Sequence, residues 1–156
     1  MLNDFYCMFG DILIVESWLK DYPFLRIKDA SCTYYEENTD KFCWLNDIPI
    51  GWVKAFGKEM CDELLEALGE HVDDFIIVQM KEKYGEMRLY WHWANKDYSD
   101  EEREELNQIT SMIEDIISKY TAISRQTCYI CGAQDAPVKY GAWIIPICAE
   151  CEKNRR

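Results

Sequence analysis

The sequence predicts an α+β fold in which helices pack on a small antiparallel sheet, followed by a cysteine-rich C-terminal module. Three observations lead to it: two stretches with helical periodicity, two β-rich segments on either side of a glycine, and two Cys-x-x-Cys pairs near the end of the chain. The 156 residues suit one domain with a small appendage, and an apolar content of 49% is enough for a core. We divide the chain into an acidic body, residues 1–124, and a terminal module, residues 125–156.

A first helix is predicted over residues 51–68. Gly69 stands where it should end, because glycine adopts the left-handed conformation that closes many helices. Upstream, residues 11–20 fit a short helix or a strand, the stretch from Pro23 to about Thr39 is expected to be irregular, and residues 1–48 as a whole are poorly defined. Apolar side chains recur at four-residue steps and so share one helix face: Trp52, Phe56, Met60, Leu64 and Leu68.

A second helix is predicted over residues 100–124. Ser99 and Glu102 fit a capping box, in which the hydroxyl and the carboxylate accept hydrogen bonds from backbone N–H groups at the helix start. An acidic first turn also suits the positive end of the helix dipole. The apolar stripe of this helix is Leu106, Ile109, Ile113, Ile116, Ile117, Tyr120 and Ile123.

Residues 75–81 and 87–93 are rich in β-forming side chains and predict an antiparallel hairpin. Gly85, in the connection, can take the positive φ that a tight turn requires. Strict alternation would place Ile76, Val78, Met80, Leu89, Trp91 and Trp93 on the inner face. The outer face would then carry Gln79 and a basic, aromatic-edged strip, here called the basic strip: Lys81, Lys83, Arg88, Tyr90 and His92.

Two interpretations of the basic strip are open. It fits the solvated side of a sheet, and it also fits a contact patch for the carboxylates or phosphates of a partner.

The clearest chemical motif is the pair of cysteine doublets. Cys128 and Cys131, with a glycine directly after them, have the spacing of a zinc knuckle, and Cys148 and Cys151 repeat it. Four thiolates complete a tetrahedral shell and leave no open position for substrate, so we predict a structural zinc ion. Disulfides or an iron–sulfur cluster are the alternatives. The order of knuckle, short hairpin and second pair is typical of a zinc-ribbon or treble-clef-like module.

The other four cysteines show no paired metal spacing. Cys61 is expected to be a small buried hydrophobic residue on the first helix. A second metal site formed from Cys7, Cys32 and Cys43, with His71 or His92, is a further alternative.

Charge is unevenly distributed. The net charge is −12, and because residues 125–156 hold five Lys/Arg against three Asp/Glu, the body carries 12 against 26. An acidic body repels phosphate backbones and anionic lipid. It fits a solvated surface or a face that docks on a basic partner.

Compartment and catalysis follow from what the sequence lacks. There is no apolar run long enough to span a bilayer and no secretory signal pattern at Met1–Gly10, so a cytoplasmic location with reduced cysteines is expected. The two histidines lie in no recognisable catalytic motif, and no Gly-rich phosphate loop is present. We therefore do not expect an enzyme.

Several motifs together resemble an uncharacterised family of small bacteriophage and prophage proteins. They are Pro49-Ile-Gly-Trp52, the AFG segment at 55–57, the VQMKEKYGEMRLY segment at 78–90, and the two cysteine pairs with Gly141-Ala-Trp143 between them. The resemblance covers roughly residues 49–151. It implies a viral or prophage origin and a bacterial host cytoplasm, but no activity.

The function expected from these features is a non-enzymatic, zinc-stabilised, protein-binding factor. In its most specific form it is a phage accessory protein that inhibits a host protein, such as a CRISPR or other defence component. That partner would itself bind nucleic acid, so that carboxylates occupy the place of phosphates. The alternative is a nucleic-acid-binding regulator that uses the zinc module and the basic strip.

Overall fold

Two helices and a β-hairpin form the body, and a smaller ribbon with one helix follows. The computed structural model describes residues 18–27 and 43–155; predictions for residues 1–17 and 28–42, including those on Cys7 and Cys32, lie outside this range. Residues 18–21 are helical, and Pro23–Leu25, Trp44–Asp47 and Gly69–His71 are single 3-10 turns. The helices are α1 (Lys58–Leu68), α2 (Asp100–Ser124) and α3 (Ala149–Asn154), and the strands are β1 (Phe75–Lys83), β2 (Glu86–Trp93), β3 (Val138–Lys139) and β4 (Ile145–Pro146).

The first predicted helix is confirmed, with one irregularity. A helical turn, Ile50–Trp52, passes through a π-helical turn, Val53–Gly57, before α1 begins. The helix ends at Gly69, which has φ +52 and donates its N–H to the carbonyl of Leu65. All five side chains of the predicted stripe are buried, as is Cys61.

The hairpin is also confirmed, and a two-residue turn sets the pairing of its strands. Lys83 pairs with Glu86, so Tyr84 and Gly85 are the two turn residues. Both have positive φ, +56 and +81, which is the sign pattern of a type I′ turn. Glycine takes this conformation without strain, whereas for a residue with a Cβ it costs about 1–2 kcal/mol.

The predicted alternation of faces is wrong in the first half of β1. The register shifts between Ile77 and Gln79, which indicates a β-bulge at Val78. Phe75 and Ile77 are therefore buried ahead of the bulge, and Met80 is buried behind it. Ile76 pairs with His92 on the outer face, and Val78 is 40% exposed.

Helix α2 begins and ends where the sequence predicts. Ser99 accepts a hydrogen bond from the Glu102 N–H at 3.2 Å, and Glu102 accepts one from the Ser99 N–H at 2.6 Å, which confirms the capping box. The helix packs on the inner face of β2. Two tryptophans of that strand donate to it: Trp91 Nε1–H to Glu114, and Trp93 Nε1–H to Thr110.

One core joins the body to the C-terminal module. Trp52 is fully buried and stacks on Phe56, whose ring lies 5.4 Å from that of Tyr120 on α2. Tyr129 and Ile147 of the terminal module belong to the same buried cluster.

The fold class is as predicted, α+β with a cysteine-clustered, zinc-ribbon-like module at the end. None of the helices in the described residues is long and apolar enough to cross a membrane.

Candidate metal centre and adjoining groove

The first cysteine pair lies in a tight backbone turn. The N–H of Gly132 donates to the carbonyl of Cys128 at 2.9 Å, and the N–H of Cys128 donates to the carbonyl of Ala133 at 2.8 Å. Gly132 has φ +83, a conformation that glycine adopts without strain. The Ala133 N–H also points at the sulfur of Cys131, 3.4 Å away. The turn therefore brings both thiols of the pair to one side.

The second pair is placed by the start of α3. Cys148 is the N-cap of this helix, and its sulfur accepts a hydrogen bond from the Cys151 N–H at 3.5 Å. The ribbon of β3 and β4 connects the two pairs, with Val138 opposite Pro146 and Lys139 opposite Ile145. This is the order of knuckle, ribbon and second pair that the sequence predicts.

The four sulfurs form a cluster that fits a metal ion. The ligand atoms of Cys128, Cys131, Cys148 and Cys151 all lie within 4.8 Å of one another, and all four residues are free thiols. The sulfurs of Cys131 and Cys148 are 3.7 Å apart. In a tetrahedral site with metal–sulfur distances of about 2.3 Å, neighbouring sulfurs lie about 3.8 Å apart, whereas a disulfide needs about 2.05 Å. The cluster can therefore hold a metal ion.

Ionisation of the cluster is uneven. Burial raises the pKa of Cys128, but hydrogen bonds from the backbone of Cys131, Cys148 and Ile130 outweigh it and lower the pKa to about 7. The pKa of Cys151 is raised, first by burial and then by its interactions with Cys131 and Cys148. Closely packed thiols resist becoming thiolates together unless a cation lies among them. A metal ion would remove that resistance.

The cluster rests directly on the turn that leads into α1. Gly51 donates its N–H to the carbonyl of Tyr129 at 3.0 Å, and the Trp52 indole N–H donates to the carbonyl of Thr127 at 2.9 Å. A Cβ on Gly51 would lie 2.1 Å from the carbonyl oxygen of Cys128, closer than real atoms approach. Gly51 was predicted only as part of a helix, and its contact with the cysteine cluster was not predicted.

The basic strip is on the outer face of the hairpin, but its members differ in environment. The Lys81 ammonium lies 5.7 Å from the centroid of the Tyr90 ring, and Tyr90 is 48% exposed. His92 Nδ1 lies 2.7 Å from the Trp93 carbonyl. Lys83 sits at the hairpin tip, next to the turn.

Arg88 is the exception in the strip. It forms an ion pair with Glu86, a carboxylate that is only 6% exposed and that also binds Arg125. Arg88 Nε is buried and has no hydrogen-bond partner among the described residues. Burying a carboxylate is costly unless it is paired, so Arg88 has a structural role whatever else it contacts.

A groove lies between the hairpin turn and the loop that joins β3 to β4. Its volume is about 530 Å³, and Glu82, Lys83, Tyr84 and Trp143 are among its lining residues. A second groove of about 250 Å³ shares Trp143 and continues past Tyr140. Tyr84 is 68% exposed, Tyr140 81% and Trp143 47%.

The sequence carries a signal for this surface, although Tyr84 and Tyr140 were not predicted as contact residues. Both loops hold the tripeptide Lys-Tyr-Gly, at 83–85 and at 139–141. In each case the tyrosine is the first residue after a strand, β1 or β3, so it belongs to a connecting loop. It is therefore more readily placed at the surface than in the core.

No family model, curated protein or solved structure matches the chain. The resemblance to the phage family therefore stays a prediction.

Proposed function

We propose that the protein is a non-enzymatic, zinc-stabilised factor that binds another protein. The observation that supports this most directly is the exposure of aromatic side chains around the two grooves. In the described residues six large hydrophobic side chains are exposed, and three of them, Tyr84, Tyr140 and Trp143, line these grooves. Tyrosine and tryptophan are enriched in protein contact surfaces, where they supply much of the binding free energy.

Zinc is the metal that best suits the cysteine cluster. Tetrahedral coordination by four sulfurs is typical of zinc or of iron–sulfur sites, and zinc needs no redox partner. Four thiolate ligands would leave no position for water or substrate, so the ion would act in folding only. Elemental analysis of the purified protein should give one zinc per chain; iron in place of zinc would contradict this assignment.

The partner is proposed to be a protein because of the overall charge. At −12 the chain repels phosphate backbones over distances of about 10 Å at ordinary salt, and it attracts basic protein surfaces. The resemblance to phage proteins points to a bacterial host protein. In its more specific form the proposal is therefore inhibition of a host protein, such as a component of a defence system.

An affinity capture from bacterial lysate tests the proposal. Tagged protein with verified metal content is incubated with lysate that has or has not been treated with nuclease, and bound material is identified by mass spectrometry. The matched control bait is Trp143→Ala, which removes a half-exposed aromatic ring and should keep the fold and the metal.

The expected result is one host protein that is recovered in both lysates by the native bait and is depleted with Trp143→Ala. Recovery that disappears after nuclease treatment would instead favour the alternative function, a nucleic-acid-binding regulator. Equal recovery by both baits would show that the aromatic surface is not the contact site.

A further inference from the structure

The larger groove, between the hairpin turn and the β3–β4 loop, is a defined structural feature. Its two sides meet at Gly85, where a Cβ would lie 3.2 Å from the Ile144 carbonyl oxygen and 3.3 Å from the Ile144 side chain. The two loops therefore approach closely at this point, where even a Cβ on Gly85 would make a tight contact. Tyr84 and Trp143 are the sequence neighbours of Gly85 and Ile144, and both line the groove.

Tyr84 is an unexpected residue for its position. At the first position of a type I′ turn the preferred residues are asparagine, aspartate and glycine, because they tolerate positive φ. Tyr84 has φ +56 and exposes 68% of its surface, so neither the turn nor the core accounts for it. A strained backbone that presents an exposed aromatic ring indicates that the ring has a functional contact outside the protein's own core.

The charged residues of the groove indicate which kind of ligand group would bind beside the Tyr84 ring. Glu82 accepts a hydrogen bond from the Gly85 N–H through Oε1 at 2.7 Å, which fixes the carboxylate against the turn. No described residue forms a hydrogen bond or ion pair with the other oxygen, Oε2. The Lys83 ammonium lies 5.2 Å from the centroid of the Tyr84 ring, so this ring already has a cation over it.

Two aromatic rings and a fixed carboxylate that line one groove match the chemistry of a guanidinium group. Arginine stacks on aromatic faces and donates charge-assisted hydrogen bonds to carboxylates. The net charge of −12 would draw a basic segment towards the molecule before contact. An anionic ligand would be repelled both by the Glu82 carboxylate and by the negative net charge of the chain.

We propose that this groove binds an arginine side chain on a basic segment of the partner protein. The inference rests on the proposed protein-binding function and names the chemistry of the partner at that site. Glu82 would accept hydrogen bonds from the guanidinium group, and Tyr84 and Trp143 would stack on the plane of that group. The positive charge of Lys83 would repel the guanidinium group and so weaken its binding.

Synthetic peptides test the inference without knowledge of the partner. The probes are a nine-residue Gly/Ser peptide with two arginines, the same peptide with two glutamates, and a ten-residue oligothymidylate. Binding is followed by NMR on the indole N–H resonance of Trp143, which is assigned by its loss in Trp143→Phe. The arginine peptide should shift this resonance, and the glutamate peptide should not.

Single substitutions should change the affinity for the arginine peptide in defined directions. Glu82→Gln keeps the acceptor oxygen for Gly85 and should weaken arginine-peptide binding about fivefold or more. Tyr84→Asn should weaken binding at least about threefold while raising the melting temperature, because asparagine suits the turn. Lys83→Ala should strengthen binding of the arginine peptide, since it removes the opposing cation. Tyr90→Ala, an exposed tyrosine outside the groove, is the matched control and should change nothing.

Failure of the inference can be distinguished from failure of the proposed function. If the arginine peptide leaves the Trp143 resonance unmoved while lysate capture still depends on Trp143, the arginine inference is overturned and the protein-binding function stands. Binding of oligothymidylate that is weakened by Lys83→Ala would identify a nucleic-acid site and overturn the inference. Concentration-dependent dimers that are lost in Glu82→Gln would place a second copy in the groove, which also overturns it.

Discussion

Gly51 and Gly132 meet backbone to backbone, 81 positions apart in sequence, where the cysteine cluster rests on the turn before α1. A Cβ on Gly132 would lie 2.6 Å from the carbonyl oxygen of Gly51, and a Cβ on Gly51 would lie 2.8 Å from the Gly132 nitrogen. The contact leaves no room for even one methyl group on either side. It links the stability of the body to the geometry of the cysteine cluster.

Substitution of Gly51 by alanine should therefore destabilise the protein by about 2 kcal/mol or more, because the added methyl overlaps backbone atoms that cannot rotate away. Urea unfolding followed by circular dichroism measures this loss. Gly141→Ala is the matched control, since a Cβ there would have nothing within 4 Å, and it should leave stability within about 0.5 kcal/mol of the native value. Equal effects of the two substitutions would contradict the close approach.

Removal of the metal should weaken the body as well as the terminal module. The Trp52 indole donates to Thr127, and Gly51 donates to Tyr129, so loss of the cluster geometry removes buried hydrogen bonds of the core. Chelation, or Cys131→Ser, should lower the melting temperature of the transition followed through the buried tryptophans.

Cys61→Ala is the control for that experiment. Cys61 is fully buried but is not part of the cluster, so this variant should keep its metal and lose only the packing of one sulfur. A chelated protein that keeps the native melting temperature would show that the metal does not support the core.

Acid should weaken the contact between α1 and α2 through Glu63. A hydrogen bond from Lys119, and a second from the Tyr120 hydroxyl, lower the pKa of Glu63 in the folded protein. Its stabilisation is therefore complete above the unfolded-state value of about 4.3 and is lost as pH falls through the lower, folded-state pKa. Glu63→Gln should cost on the order of 1 kcal/mol at pH 7 and almost nothing near pH 2.

The comparison is made by unfolding the two proteins at a series of pH values. Glu66→Gln, at an exposed position one turn further along α1, should follow the native curve. If the difference between Glu63→Gln and the native protein were the same at every pH, the carboxylate would not be the source of the stabilisation.

Variants of the basic strip should separate its role from that of the groove. Arg88→Glu is a poor choice because it would place a second carboxylate beside buried Glu86 and destabilise the hairpin. Lys81→Glu avoids this problem, since Lys81 contacts the face of Tyr90. We expect Lys81→Glu to keep the partner captured from lysate, and loss of the partner would move the contact site from the groove to the strip.

The sequence predicted most where a local rule determined the structure. Ser99 and Glu102 set the start of α2 because their side chains satisfy N–H groups only a few positions away. The cysteine spacing likewise predicted which four thiols form the cluster, since one tight turn brings the two sulfurs of a pair to the same side.

Features that depend on distant partners were missed. The bulge at Val78 changes the face of Ile76, and nothing in the local alternation marks it. The contact between Gly51 and Gly132 requires the tertiary fold, and the groove beside Tyr84 exists only once two separate loops have been brought together.

The glycine contact also limits how the chain can be recombined. A chimera that grafts residues 125–156 onto another scaffold would carry Gly132 and its turn, but not the complementary surface at Gly51 or the Trp52 indole that binds the Thr127 carbonyl. Such a graft needs a recipient with a glycine and a tryptophan in the same helical turn. For design purposes the cysteine module and residues 49–57 form one structural unit, and the two segments have to be transferred together.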